Sequence, residues 1–402
     1  MTFITRLLGN SINQILSRGK SILLLGPRQT GKTTLLNHQV VADLNYTFLE
    51  AAVRRDFELE TDNLIKEVKA HKHLDHRDQP LTVLIDEVQK VPDIMDTVQY
   101  AIDHALAQFI LTGSSIRKLR RHAGGVNLLP GRVIELKMDA LSILEMSSAL
   151  PTLDDLLIYG SLPEVILQKE EPAKEQFLIS YVNTYLEEEI RAEALVRNVA
   201  SFSRFLRYAA VGVGKPINVN KLSQELGISR HTIDAYYQIL EDCLIADRIE
   251  PLSYITSRRR LTKAPKYLMF DLGVRRIAAG EGLRLPEKYY GDLFEQFVGL
   301  EILKILRIYA PQARLYYWKD HNGPEVDYVI EYNRQYLPIE VKYTSKPLSK
   351  DADHLHTFQQ EYDCLSPALI VCRIERPMEI ANNIIAIPWS TLPMMIKKRV
   401  EA

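Results

Sequence analysis

Over the first third of the chain, short runs of consecutive aliphatic residues alternate with stretches whose apolar positions recur at helical spacing. This is the pattern of a parallel α/β sheet. Ser21–Leu25 predicts a buried strand, followed by a Gly-rich turn and a helix from about Lys32. Leu81–Ile85 predicts a second strand ending in two acids, Phe109–Thr112 a third running into Gly113-Ser114-Ser115, and Arg132–Leu136 a fourth. Polar residues collect after the C-terminal ends of these strands, where open α/β sheets bind their ligands.

From about Leu141 the pattern turns helical, with predicted helices over Leu141–Met146, Leu153–Tyr159 and Gln176–Leu195. The acidic run Glu187–Glu189 reads as a solvated helix face. Val219–Leu226 and Arg230–Leu244 then predict two helices around a tight turn, with Ser229 as N-cap of the second. Extended segments around Leu252–Ile255 and Tyr267–Phe270 follow, which makes a helix-turn-helix with a two-stranded wing the simplest reading. The last section is α/β again. Asp292–Tyr309 predicts a helix, Ala313–Trp318, Val326–Tyr332, Tyr336–Tyr343 and Ala368–Cys372 predict strands, and Leu355–Tyr362 predicts a further helix.

Composition adds limits. The 402 residues exceed one ordinary core, and 46% hydrophobic with 25% charged residues is the balance of a globular protein. No apolar run approaches the ~18 residues a membrane span needs. The first twenty residues read as an amphipathic helix rather than a leader peptide. Cys243, Cys364 and Cys372 have no metal-ligand spacing and cannot frame a disulfide scaffold, so a reducing cytoplasm is expected. The net charge of −1 conceals a local excess: Arg248–Arg276 holds eight Lys or Arg against Glu250 and Asp271. A basic wing beside an exposed helix carrying Arg230, His231, Asp234 and Gln238 suits contact with a DNA backbone, although such modules also dock proteins or cap ATPases.

Two constellations carry chemistry. Gly26-Pro27-Arg28-Gln29-Thr30-Gly31-Lys32-Thr33, with Thr34 after it, matches the P-loop pattern between a predicted strand and a predicted helix. Glycines let the backbone turn its N–H groups toward phosphates, and the helix N-terminus adds its positive end. Lys32 is expected to reach the β- and γ-phosphates of ATP, and the Thr33 hydroxyl to hold Mg²⁺. Asp86 is expected to hold Mg²⁺ through water and Glu87 to act as general base. Thr112 and Ser114 offer hydroxyls to the γ-phosphate or the lytic water. Arg132 is a candidate for steadying transition-state charge, in cis or from a neighbouring subunit of a homo-oligomer.

The second constellation is Asp327 with Glu340-Val341-Lys342. A hairpin turn at Asn333–Gln335 would bring Asp327 to the strand on which Glu340 and Lys342 share a face. Two acids on Mg²⁺ and a lysine orienting water is a phosphodiester-cleaving arrangement. Glu295 or Glu301 from the preceding helix could add a metal ligand.

The succession P-loop, Val83-Leu84-Ile85-Asp86-Glu87-Val88-Gln89, Leu111-Thr112-Gly113-Ser114-Ser115 and Pro130-Gly131-Arg132 resembles a family of prokaryotic AAA-superfamily ATPases with a C-terminal domain of formerly unknown function. Gly160-Ser161-Leu162-Pro163, Phe270-Asp271-Leu272-Gly273 and Ile339-Glu340-Val341-Lys342 extend the resemblance along nearly the whole chain. It implies four parts: a P-loop ATPase domain at 1–140, a helical lid or connector at 141–207, a winged helix-turn-helix at 208–280 and a restriction-endonuclease-like domain at 281–402. It also favours Glu295 as the third metal ligand. An ATP hydrolase acting on DNA is expected. The alternative is an ATP-dependent switch or docking protein whose nuclease-like end is silent.

Overall fold

The computed structural model describes residues 3–76, 79–115, 129–146, 150–186, 199–252, 262–320 and 323–401. The chain divides into two compact units, residues 1–140 with 242–244, and residues 141–241 with 245–402.

The first unit is a five-stranded parallel sheet built from β1 (Ser21–Leu25), β2 (Leu44–Thr47), β3 (Leu81–Asp86), β4 (Ala107–Gly113) and β5 (Val133–Lys137), in the order β2-β3-β4-β1-β5. β1 is buried along its whole length, as its aliphatic run requires. The order matters for the site. Because β4 lies between β1 and β3, whatever follows β4 stands between the turn after β1 and the acids that end β3. Leu23, Val83, Ile85, Phe109 and Leu111 form the core of this layer with Phe48, Val88 and Ile94.

The second unit holds an eight-stranded mixed sheet. Its strands are β6 (Ala246–Pro251), β7 (Lys266–Met269), β8 (Arg314–Lys319), β9 (Glu325–Tyr332), β10 (Gln335–Val341), β11 (Ala368–Cys372), β12 (Met378–Ala381) and β13 (Ile384–Pro388), in the order β12-β13-β11-β10-β9-β8-β6-β7. Asn333 and Arg334 both take positive φ, 51° and 65°, and make the tight hairpin between β9 and β10. The helices Val219–Leu226 and Arg230–Asp242 precede β6, and Ser229 Oγ accepts the Thr232 N–H at 3.1 Å as an N-cap does.

Several expectations are corrected here. The first extended segment after the two helices is Ala246–Pro251, not Leu252–Ile255, and residues 253–261 lie outside the described ones. The pair β6–β7 is not a free wing, because β6 also pairs in parallel with β8, Glu250 with Tyr316 and Pro251 with Tyr317. Leu141–Met146 forms turns, not a helix. The Ser142 hydroxyl donates to Glu301 at 3.1 Å, and the Ile143 N–H donates to the same carboxylate at 3.0 Å, so tertiary bonds take the place of a helical ladder. The acidic run Glu187–Glu189 lies outside the described residues.

The motifs Gly160–Pro163 and Phe270–Gly273 turn out to be one structural joint. Asp271, 1% exposed, accepts the Ser161 N–H at 2.7 Å and caps its own helix by accepting the Val274 N–H at 3.0 Å. A Cβ on Gly273 would stand 2.1 Å from the Tyr159 carbonyl oxygen, so only glycine lets the two segments meet. Asp271→Ala strands two buried N–H donors and is expected to lower stability by roughly 3 kcal/mol, against a smaller loss for Asp271→Asn. Urea denaturation of both variants checks this; equal losses would argue against the hydrogen-bonding role.

Candidate functional site

β1 ends at Leu25 and the chain turns at once into Gly26–Gly31. A Cβ on Gly26 would lie 2.5 Å from the Met138 carbonyl oxygen, and Gly31 has φ 93°, so both positions demand glycine. The helix Lys32–Gln39 starts from this left-handed residue with its first N–H groups facing the loop. Lys32 is buried, and its Nζ donates to the Gly26 and Pro27 carbonyls at 2.8 and 3.1 Å. Thr30 ties the loop internally by donating to the Pro27 carbonyl at 2.8 Å. Gln29, Thr33 and Thr34 are exposed and Arg28 is half-buried.

The acids after β3 join this loop directly. Thr33 Oγ1 donates to Asp86 Oδ2 at 3.0 Å, and Thr112 Oγ1 donates to Asp86 Oδ1. Thr112 also accepts the Glu87 N–H at 3.0 Å. With its single hydroxyl hydrogen given to Asp86 and one lone pair taken by the Glu87 N–H, Thr112 positions the acids. Glu87 itself has φ 60°, a strained value for a residue with a side chain. Two supporting residues had no role assigned from the sequence. Gln89 Nε2 donates to Glu87 Oε2 at 2.6 Å and to Ser114 Oγ at 3.2 Å. Arg6, far off in sequence, donates to the Thr30 carbonyl at 2.6 Å and to the Asp139 carbonyl at 2.8 Å, bracing the loop from behind. The spacing Asp86-Glu87-Val88-Gln89 was a usable signal for Gln89; nothing local marks Arg6.

Arg132 is not brought to this site. It immediately precedes β5, which runs parallel to β1 with Val133 opposite Ser21, so it lies beyond the start of β1 while the P-loop follows its end. Five strand residues separate the two ends by roughly 16 Å. There Arg132 makes a two-pronged bond to Asp103, at 2.6 and 2.9 Å. A role in cis is thereby ruled out on distance.

The loop's glycine turns, the buried ammonium and the paired Thr33–Asp86 oxygens fit an ATP phosphate chain with Mg²⁺: donors face the anion, and hydroxyl and carboxylate oxygens face the cation.

In the second unit, β9 and β10 pair antiparallel with Ile339 opposite Tyr328. Continuing that register sets Glu340 opposite Asp327, with Glu325 and Lys342 on the same face. Asp327 Oδ2 accepts the Val341 N–H at 2.8 Å, and Lys342 Nζ donates to Glu340 Oε1 at 2.5 Å. Glu340 is 3% exposed and its Oε2 has no hydrogen-bond partner. Burial, then the charge of Asp327, pushes the Glu340 carboxyl up to about 8. The same two causes raise Glu295 to about 7. Burial raises Asp327 as well.

Glu295 departs from the expected metal shell, since its Oε1 is taken by Lys266 Nζ at 3.1 Å. Glu301 is buried elsewhere, against Lys304, Ser142 and Ile143. Among the described residues no three His, Cys, Asp or Glu side chains converge to hold a metal ion. What remains is a two-carboxylate site. Asp327 and the orphaned Glu340 oxygen fit one divalent cation completed by water.

The basic stretch is also corrected. Of its eight cations, Lys266, Arg275 and Arg276 are buried, the arginines paired with Glu281 and Glu175. Arg248 is paired with Glu250. Arg258, Arg259 and Arg260 lie outside the described residues, as does the run Arg117–Arg121, and Lys263 is exposed. Arg230, His231, Asp234 and Gln238 are all exposed along one helix. No helix among the described residues is long and apolar enough to cross a membrane.

The raised Glu340 carboxyl sets a pH dependence. Between the ordinary carboxyl range and about 8, the folded chain keeps a proton that the unfolded chain has lost, so stability falls as pH rises through this window. The limiting slope is about 1.4 kcal/mol per pH unit. Denaturation midpoints measured without divalent cations should fall from pH 5 to pH 8 in the wild type and less steeply in Glu340→Gln. Identical slopes would remove Glu340 as the source.

Comparison with known proteins divides the chain in three. Residues 18–147 match the model of an AAA domain, so the first unit is a P-loop ATPase domain. Residues 150–284 and 290–392 each match a domain of unknown function (DUF8612 and DUF4143). An uncharacterized protein of Mycobacterium tuberculosis is 24% identical over 338 residues, spanning 84% of this chain and 73% of that protein. An uncharacterized protein of Haemophilus influenzae is 24% identical over 371 residues, spanning 87% and 86%. Among solved structures, a signal-transduction ATPase with numerous domains from Pyrococcus horikoshii aligns over 76% of this chain and 47% of its own, at 14% identity and a TM-score of 0.25. That likeness is too distant to carry an argument.

Proposed function

We propose that this chain hydrolyses ATP with Mg²⁺ in its first unit and uses the nucleotide state to control how its second unit engages DNA. The observation that carries the reading is the Asp86 carboxylate shared between Thr33 and Thr112, with Glu87 held beside it by Gln89. Bound Mg²⁺ neutralises phosphate charge and orients the γ-phosphate. Lys32 and the loop N–H groups bind the phosphates, Thr33 and Asp86 hold the cation, and Glu87 accepts the proton of the attacking water. Gln89 fixes which way the Glu87 carboxylate faces.

For the second unit we favour a nucleic-acid surface on the helix Arg230–Asp242, with Asp327, Glu340 and Lys342 as a phosphodiester-cleaving group holding one divalent cation. The competing reading, an ATP-driven switch with a silent C-terminal site, is supported by the internal donors already on Asp327, Glu340 and Glu295.

Lys32→Ala should cut ATP turnover by on the order of a hundredfold or more and weaken ATP binding, whereas Glu87→Gln should bind ATP and fail to hydrolyse it. Turnover surviving in Lys32→Ala would place the nucleotide site elsewhere. DNA affinity should fall steeply with salt, and Arg230→Ala should reduce the log–log slope by about 1 if that residue meets a phosphate. A flat salt dependence would sink the DNA reading. Mg²⁺-dependent cleavage lost in Asp327→Ala and Glu340→Ala with ATPase intact would establish the C-terminal chemistry. A wild type that cuts no DNA or RNA would favour the switch.

A further inference from the structure

Lys266 is the least expected cation in the molecule. It lies on β7, with β8 and β6 standing between that strand and β9 in the sheet, and its side chain is 2% exposed. Its Nζ stands 3.1 Å from Glu295 Oε1 and 3.1 Å from Glu325 Oε1, and 4.7 Å above the Tyr317 ring. Glu325 also takes Lys319 Nζ. Four carboxylates therefore gather here, Glu295, Glu325, Asp327 and Glu340, against three ammonium groups, Lys266, Lys319 and Lys342. With every one of these groups ionised one negative charge is left over, which in the cation-free chain a proton on Glu340 removes, and Glu340 Oε2 is buried without a partner. A single divalent cation at Asp327 and Glu340 would take the place of that proton. Without Lys266 the excess doubles and Glu295 loses the donor on its Oε1, and a buried carboxylate without a counter-charge is strongly disfavoured.

We infer that Lys266 is a built-in substitute for a second metal ion: its ammonium sits between Glu295 and Glu325 as a cation bridge, and limits this cluster to one divalent cation. The inference rests on the one-cation reading of Asp327 and Glu340, and it predicts a binding count that does not depend on catalysis. It also gives β7 a direct part in the site, through a residue that the sequence placed in a basic wing.

The test is Mn²⁺ binding to the nucleotide-free full chain, followed by electron paramagnetic resonance, in an Asp86→Asn parent that silences the P-loop cation site. The parent should bind one Mn²⁺, lost on adding Glu340→Gln. Adding Lys266→Met to the parent should raise the count to two, and the second ion should vanish on further adding Glu325→Gln. A parent that binds two ions, or a Lys266→Met variant that binds no more than the parent, overturns the role of Lys266 and leaves the one-cation reading standing. A parent that binds none breaks the one-cation reading, while an ion gained in Lys266→Met and lost with Glu325→Gln still upholds the bridge. Should Lys266→Met unfold in chelator, recovery of its denaturation midpoint by Mn²⁺ supports the inference and failure to recover overturns it.

Discussion

Buried charge has to be matched inside the protein, and in the second unit this requirement is what fastens one element to the next. Arg276, wholly buried, donates to the Ile158 carbonyl at 2.8 Å and pairs with Glu175. Lys304 donates to the Leu141 carbonyl at 2.8 Å, to Ser161 Oγ at 3.1 Å and to Glu301 at 2.7 Å. Asp271 closes the same region onto Ser161. These ions come from two helices, Leu272–Ala279 with its cap Asp271 and Lys288–Tyr309, and apart from the Lys304–Glu301 pair their main partners are distant in sequence. Removing any one leaves a charge or a donor stranded in a poor solvent, which is far more damaging than losing a surface pair. The segments 141–146, 150–180 and 271–281 and the helix Lys288–Tyr309 are therefore tied together by polar bonds as much as by apolar packing.

The same requirement explains where sequence reading succeeded. Aliphatic runs announced β1, β3, β4, β9, β10 and β11 because those strands are covered on both faces or alternate cleanly. The P-loop was legible because it is local: backbone turn, glycines and lysine are contiguous. β2, the edge strand Leu44–Thr47, escaped because it is short and half-buried, with one apolar residue in four carrying a strong signal. β12 and β13 were hidden behind the turn residues that separate them.

Function was less legible wherever it depends on distant partners. Charge in a sequence is ordinarily read as exposure, yet Lys266, Arg275 and Arg276 are interior and are matched by Glu295, Glu325, Glu281 and Glu175. Arg132 falls away from its own chain's P-loop for a different reason. In a parallel strand, the residue before the strand and the residue after it lie at opposite ends, and only the latter belongs to the ligand-binding edge. The pairing of Asp327 with Glu340 could be read from a hairpin of known spacing. The commitment of Glu295 to a lysine on β7 could not, since it is set by the whole sheet.

The hydrogen bonds between β6 and β8 have a practical side for anyone who would divide this molecule. The link is short: Glu250 and Pro251 beside Tyr316 and Tyr317, with the Leu252 N–H donating to the Tyr317 carbonyl at 2.7 Å. A fragment beginning near residue 281 would keep β8 through β13 yet bare the flank of β8, including Trp318 and Tyr317, which are fully buried in the intact chain. An uncovered strand edge of that kind invites self-association. The eight-stranded sheet is thus not a cassette that can be lifted out at residue 281, because two of its strands, β6 and β7, lie upstream of that point.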